Sequence, residues 1–220
     1  MFQGERKAQV TRPLHEVVAK LYRIITLNEA WTRDCRRMGA IAIADMQDPC
    51  VLDLGTGPGH VAIEIINLTQ HAYIVGFDLA VGMLREAAIL TQGTKEIQLV
   101  RGDAHSLPFK SGIFDAITGH SFLYLTTNPH TVLAEAKRTL KSRGKLVLME
   151  PSSRISWRVL LKSKGNLNFI LSMIGWRILS LIFGRYGSES LRNILLAAGY
   201  GQVHTENTLD GLGVIASAVK

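Results

Sequence analysis

The chain has 220 residues, 47% hydrophobic and 20% charged, with a formal net charge of +7. That length suits one domain with room for a small insertion, and the apolar fraction supports a sizeable core and excludes global disorder. Two cysteines, Cys35 and Cys50, are too few for a disulfide framework; Cys50 abuts an apolar run and reads as a buried thiol, so an intracellular, cytoplasmic compartment is expected.

There is no Cys-x-x-Cys pair and no His/Cys cluster at zinc spacing, so no metal is expected. Met1 to Arg12 is polar, without the apolar run of a secretory signal. Residues 14 to 46 read as helical. Leu14, Val17, Val18, Leu21, Ile24 and Ile25 recur at helix spacing, and a second run spans about Glu29 to Met46. Gln47-Asp48-Pro49 breaks that pattern. Strands and helices then alternate. Val51–Leu54 is a predicted strand and Pro58–Leu68 a helix, with Pro58 at the first helical position. Ala72–Phe77 is a strand, Val81–Thr91 a helix, and Ile97–Arg101 and Phe114–Thr118 are strands. Pro129–Leu140 is a helix, Ser142-Arg143-Gly144 a turn, and Lys145–Met149 a strand. Such alternation predicts an α/β fold with a parallel sheet and helices on both faces. Ser188–Ala198 is a predicted helix with Ser188 as N-cap, followed by strands Gln202–Glu206 and Leu212–Val219 as a hairpin. The expected organisation is one domain: a helical cap over 1–47, a core over 48–151, an insert over 152–187 and a terminal helix and hairpin over 188–220.

The glycine turn Gly55-Thr56-Gly57-Pro58-Gly59 follows the first core strand and opens a helix. Such a turn lets backbone approach a ligand closely and aims helical N–H groups at it. A dinucleotide fingerprint would place its third glycine at position 60, where His60 stands, and the Lys-Ser/Thr of a phosphate loop is missing. Asp53 precedes the turn and suits an ammonium-bearing ligand better than a pyrophosphate. Asp78 ends the second strand, where a carboxylate can accept from both ribose hydroxyls, and Leu79 and Met83 can flank a purine. Asp103 and Ala104 follow the third strand, where an adenine amine and ring nitrogen can be met.

These motifs together resemble the class I S-adenosylmethionine-dependent methyltransferases. The matching stretches are Val51–Gly59, Gly76–Leu79, Gly102–Ala104 with Leu107-Pro108-Phe109, Phe114–Ile117 and Leu140–Val147, in order from about 48 to 151. The resemblance implies S-adenosyl-L-methionine as cofactor, with Asp53, Gly55, Thr56, Gly57 and Gly59 at its methionine part, Asp78 at ribose and Asp103 with Ala104 at adenine. It implies a Rossmann-like seven-stranded sheet of order 3-2-1-4-5-7-6 with strand 7 antiparallel.

Methyl transfer is an in-line displacement that chiefly requires alignment, and a base only if the acceptor carries a proton of high pKa. The candidates are His60, His105, His120, Tyr22, Tyr124 and Glu150. His120, after the fourth strand, is favoured as base or cofactor contact, and Glu150, ending the fifth, is expected to face the site mouth. His60 is expected to position the cofactor. Tyr22 lies in the N-terminal helix, which in many relatives closes over the cofactor. His71, His130 and His204 read as surface residues. Gly119-His120-Ser121-Phe122 replaces the Asn/Asp-Pro-Pro-Tyr/Phe of amino-methylating nucleic-acid enzymes and disfavours nucleic acid as acceptor.

From Pro151 to Gly187 there are six basic residues, Arg154, Arg158, Lys162, Lys164, Arg177 and Arg185, and no Asp or Glu. Within it Leu167–Phe183 has 12 large apolar residues in 17, too short to span a bilayer comfortably and interrupted by Arg177. Trp157, Trp176 and the flanking cations are types that settle at a headgroup boundary. The expected role is a lid over a small or lipophilic acceptor, or a peripheral contact with an anionic membrane; a core or dimer helix with solvated charges is the plain alternative. The layout is loosely similar to the quinone-biosynthesis C-methyltransferases, although Leu27–Trp31 keeps only the tryptophan of their N-terminal signature. Small phospholipid N-methyltransferases are comparable. An RNA methyltransferase and a catalytically silent cofactor-binding adaptor are the competing classes.

Overall fold

The computed structural model describes residues 19–24, 26–154 and 167–220. The expectations for Leu14, Val17, Val18, Ile25, Trp157, Arg158, Lys162 and Lys164 lie outside these residues.

A helical segment ends at Thr26, and Asn28 starts helix α1 (Glu29–Ile43) by accepting the Trp31 N–H at 3.2 Å. Trp31, Cys35, Met38 and Ala42 form the buried face of α1, recurring every three or four residues. Then come β1 (Cys50–Leu54), α2 (His60–Leu68), β2 (Tyr73–Asp78), α3 (Val81–Leu90), β3 (Ile97–Arg101) and β4 (Phe114–His120). They are followed by a 3₁₀ turn at Leu123–Leu125, α4 (Pro129–Thr139), β5 (Leu140–Pro151), α5 (Leu167–Phe183), α6 (Ser188–Ala197), β6 (Gly201–Thr208) and β7 (Gly213–Val219).

The seven strands form one sheet of order β3-β2-β1-β4-β5-β7-β6, as expected. β1 to β5 pair in parallel, and β7 lies antiparallel between β5 and β6. Alternation along each strand divides the core in two. Val51, Ile74, Ala116, Val147, Met149 and Ile215 face one layer, which holds α1, α2 and the inner side of α5. Leu52, Phe77, Ile117, Leu148 and Val214 face the other, which holds α4 and α6.

Some boundaries differ from expectation. Gly59, at φ +89°, is the residue before α2, so Pro58 lies in the turn rather than at the first helical position. Ser188 is the first residue of α6, not its cap; Gly187 occupies that place and offers no side chain. The turn at 142–144 is an irregularity within β5, where Arg143 adopts φ +62° and the register against β4 shifts. Cys50 is half-buried, whereas Cys35 is the buried thiol.

Glu150, near the end of β5, is fully buried. Its carboxylate accepts the N–H groups of Phe122 at 3.2 Å, Leu123 at 2.7 Å and Tyr124 at 3.2 Å. The side chain therefore holds the loop after β4 and does not face the site mouth as a base. Burial pushes its carboxyl up to about 8, against the pull of these three donors. Glu150→Ala would strand three backbone donors, those of Leu123 and Tyr124 buried and that of Phe122 partly so, at about 1–3 kcal/mol each. The expected loss of stability is at least ~3 kcal/mol, read from urea unfolding midpoints at constant slope.

Candidate functional site

The loops after β1, β2, β3 and β4 meet at the carboxyl edge of the sheet, where parallel sheets take their ligands. Gly55, Gly57 and Gly59 all have φ between +54° and +89°, a region closed to most side chains. A Cβ at Gly55 would stand 2.4 Å from the Phe122 ring. α2 begins without a side-chain cap, which leaves its first N–H groups facing the turn.

Asp53 lies behind this turn. Its two oxygens accept the hydroxyls of Thr56 and Thr118, each at 2.7 Å. Burial lifts its carboxyl to about 6, which the two hydroxyls oppose. Asp78 accepts the Gly57 N–H at 2.9 Å on one oxygen and the Ala80 N–H at 2.8 Å on the other. A carboxylate has about four acceptor positions, so both groups retain capacity for a ligand. Leu79 is exposed and Met83 half-buried beside them.

Asp103 uses one oxygen twice, accepting from the His105 backbone at 2.9 Å and from its Nδ1 at 2.6 Å. Because the Asn128 N–H donates to Nε2 at 3.3 Å, the His105 proton sits on Nδ1. His105 thus ties the Asp103–Ala104 loop to the loop before α4, leaving the other Asp103 oxygen open; Ala104 is buried. Those two hydrogen bonds hold its Asp103 partner below the usual carboxylate range.

His120 ends β4 with its Nε2 buried and unpartnered. Its ring meets Trp31 edge-on at 5.1 Å, and Trp31 meets Trp176 of α5 at 5.0 Å. The Trp31 Nε1 donates to Ser172 at 2.8 Å, whereas the Trp176 Nε1 is also buried without a partner. Desolvation lowers His120 to about 3, so the imidazole is neutral.

The N-terminal segment covers this edge. Arg23 pairs with Glu86 of α3. The Thr26 hydroxyl donates to the Tyr22 carbonyl at 2.7 Å, so at its 2.9 Å contact with His60 the Nε2–H of the imidazole is the donor. Burial lowers His60 to about 4 and raises the Tyr22 phenol. Tyr22, Thr26, Trp31, Cys35, Asp53, His60 and His120 join the glycine turn around a cavity of about 30 Å³. That is room for roughly one water.

The structure therefore gathers Tyr22, Asp53, Gly55, Thr56, Gly57, His60 and His120 around one cavity. Asp78, Asp103 and Ala104 stand at the adjoining strand ends. Glu150 is spent on backbone, and Tyr124 is buried with its phenol raised by desolvation. His71, His130 and His204 are exposed, as expected. Sequence reasoning missed Cys35, Thr26 and the stacking role of Trp31. The one available signal was the buried face of α1, whose periodicity groups Trp31 with Cys35. No cluster of metal ligands occurs among the described residues.

The strand order and turn geometry have counterparts among known proteins. A demethylmenaquinone methyltransferase of Thermotoga maritima is 32% identical over 149 residues, covering 67% of this chain and 63% of the relative. A malonyl-[acyl-carrier protein] O-methyltransferase of Legionella pneumophila is 30% identical over 133 residues, covering 60% of this chain and 44% of the relative. Residues 52–148 match the methyltransferase domain model. Residues 52–148 form a methyltransferase domain of the class I S-adenosylmethionine-dependent type. The cofactor of this methyltransferase domain is S-adenosylmethionine. The chain spans less than two thirds of the length of these two curated relatives. The [4+2]-cyclase SpnF superposes with a TM-score of 0.72 at 17% identity, covering 94% of both chains, so the fold extends well beyond the matched core.

The donor set fits the cofactor. Gly57 leaves open space beside the turn where a side chain would stand, while Gly55 and Gly59 make room for Phe122 and Thr91; Asp53 and Asp78 retain acceptor capacity, and the His120 Nε2 lacks a partner. His120 also sets a pH dependence. Its ordinary pKa of about 6.5 applies in the unfolded chain. Folding lowers it to about 3, so its contribution to stability is complete above pH ~6.5 and is lost as acid binds the unfolded state. His120→Gln removes this proton linkage. The stability deficit of the variant should be largest near pH 7.5 and shrink toward pH 5, measured by urea unfolding across that range.

Proposed function

We propose that the chain transfers a methyl group from S-adenosylmethionine to a small, lipophilic and uncharged acceptor, a quinone-like ring or a lipid. The observation that carries this reading is the row Trp176, Trp31 and His120, stacked edge-on beside the glycine turn. Aromatic edges and faces suit a flat apolar ring, and the closed cavity, with room for about one water, must widen to admit it. Among the described residues no Lys or Arg lines the cavity, and Asp53 adds negative charge, so a carboxylate acceptor would lack a counter-ion from these residues. The similarity to a demethylmenaquinone methyltransferase supports a ring acceptor over a malonyl thioester.

In this reading Asp53 and the glycine turn face the ammonium end of the cofactor, Asp78 takes the ribose hydroxyls, and Asp103 with Ala104 takes adenine. Leu79 and Met83 flank the purine. The bound cofactor supplies an electrophilic methyl on a sulfonium. What remains for the protein is to align the acceptor at about 3 Å and exclude water. His120 is too weak a base to hold a proton at neutral pH, so it orients cofactor or acceptor through Nε2. Tyr22 keeps its phenolic proton and lines the cavity where the N-terminal segment covers the turn.

The test is transfer of labelled methyl to demethylated naphthoquinones, benzoquinones and extracted lipids. Label should appear in one of these classes. Tight cofactor binding with no labelled product from any class would overturn the proposal. Asp78→Ala removes the ribose acceptor and also loosens the turn at Gly57. It should weaken cofactor binding by roughly 1–3 kcal/mol in calorimetry, and unchanged affinity would remove Asp78 from the site.

A further inference from the structure

We propose that the outward face of α5 is a docking surface for an anionic membrane. The helix has two apolar sides. Its inner side, Phe169, Ser172, Met173, Trp176 and Ser180, is buried against the core. Its outer side carries Leu167, Leu171, Ile174, Ile178 and Leu181, each between 46% and 70% exposed. Their spacing of four and three residues places them in one stripe along the helix. Folded single chains rarely leave such a contiguous aliphatic stripe in water. Anchoring does not require it, since the inner side already holds α5.

Charge decides what covers the stripe. The sequence from Pro151 to Gly187 has six cations and no carboxylate. Among the described residues, Arg154 and Arg185 flank α5, and Arg177 is tethered by hydrogen bonds of 2.8 Å to the carbonyls of Ser152 and Arg154. A second copy on this face would bring like charges together, because a twofold interface pairs one patch with itself. Protein interfaces also concentrate their energy in Trp, Tyr and Arg rather than Leu, and the stripe is Leu and Ile. An anionic bilayer supplies both missing complements, negative headgroups for the cations and acyl chains for the stripe.

The geometry is that of a helix lying in the interface. Seventeen residues at ~1.5 Å each give a length of about 26 Å, lying flat rather than crossing. No single helix among the described residues is long and apolar enough to cross a membrane. On the inner side of the same helix, Trp176 touches Trp31, which touches His120. A docked α5 would therefore have lipid on one side and the wall of the cavity on the other. Delivery of a lipophilic acceptor along this helix rests on the methyl-transfer reading; docking itself does not.

The experiment uses the whole chain and vesicles of phosphatidylglycerol with phosphatidylcholine, against vesicles of phosphatidylcholine alone. The chain should co-sediment with the anionic vesicles and at least tenfold more weakly with the neutral ones. The triple variant Leu171→Glu, Ile174→Glu, Ile178→Glu alters only exposed positions. It should lose at least tenfold in vesicle partitioning, while calorimetric affinity for the demethylated cofactor product stays unchanged. Failure of the unaltered chain to bind anionic vesicles overturns the proposal, as does undiminished binding by the triple variant. So does gel filtration showing a dimer that the triple variant converts to monomer. Vesicle binding without any cofactor affinity would sink the methyl-transfer reading and leave docking in place.

Discussion

The Asp53 carboxylate is out of water at the end of β1, and the arrangement of the ligand edge depends on how it is satisfied. One oxygen holds Thr118 on β4 and the other holds Thr56 in the glycine turn. The central strand, its neighbour and the turn are thereby fixed to one group. A buried charge with incomplete partners is costly. Here the remaining acceptor capacity points into a cavity made from α1 and the segment before it. A cationic ligand group arriving there would complete the site electrostatically, which neither threonine can do. The fold thus places an unmet electrostatic demand where the ligand belongs.

Helix α1 links that edge to distant parts of the chain. Trp31 reaches Ser172 and Trp176 on α5 and His120 on β4. Three residues later, buried Asp34 accepts the Thr208 hydroxyl at the end of β6. Gly39 lets the helix sit against α2, where a Cβ would come 2.9 Å from Ile65. One helix outside the sheet therefore touches β4, the end of β6 and α5. The sheet alone would leave His120 at an open strand end; α1 gives it an aromatic wall.

The parts of the molecule that a sequence discloses are those governed by local periodicity. The β-α alternation led to the sheet, and the resemblance to its strand order, because short crossovers leave few arrangements. The glycine turn and Asp78 were legible for the same reason, as neighbours in the chain and then in space. What escaped depended on long-range pairing. Glu150 looked like a strand-end acid, and only its approach to Phe122–Tyr124 shows that its oxygens are occupied. His105 could be placed near adenine but not recognised as a tie between two loops until Asn128 was beside it. Cys35 was not placed at the site because a thiol on a helix reads as core, and it is core, but on the side that faces Asp53. The helix starts at Pro58 and Ser188 failed for a smaller reason. Residue preference names a good cap, but Gly59 and Gly187 take those positions through backbone conformation.

The tryptophan pair has a practical consequence. Trp31 and Trp176 sit 5.0 Å apart with their planes at 85°, close enough that what disturbs one indole is felt by the other. One has its ring nitrogen hydrogen-bonded and the other has it bare in an apolar setting, so the two chromophores begin in different polar surroundings. Trp31 lines the cavity and Trp176 belongs to the helix that presents its outer stripe to solvent. The native chain is thus its own optical instrument. Over the contribution of Trp157, the emission and near-ultraviolet dichroism of the pair register events at the cavity and at α5, without an added label.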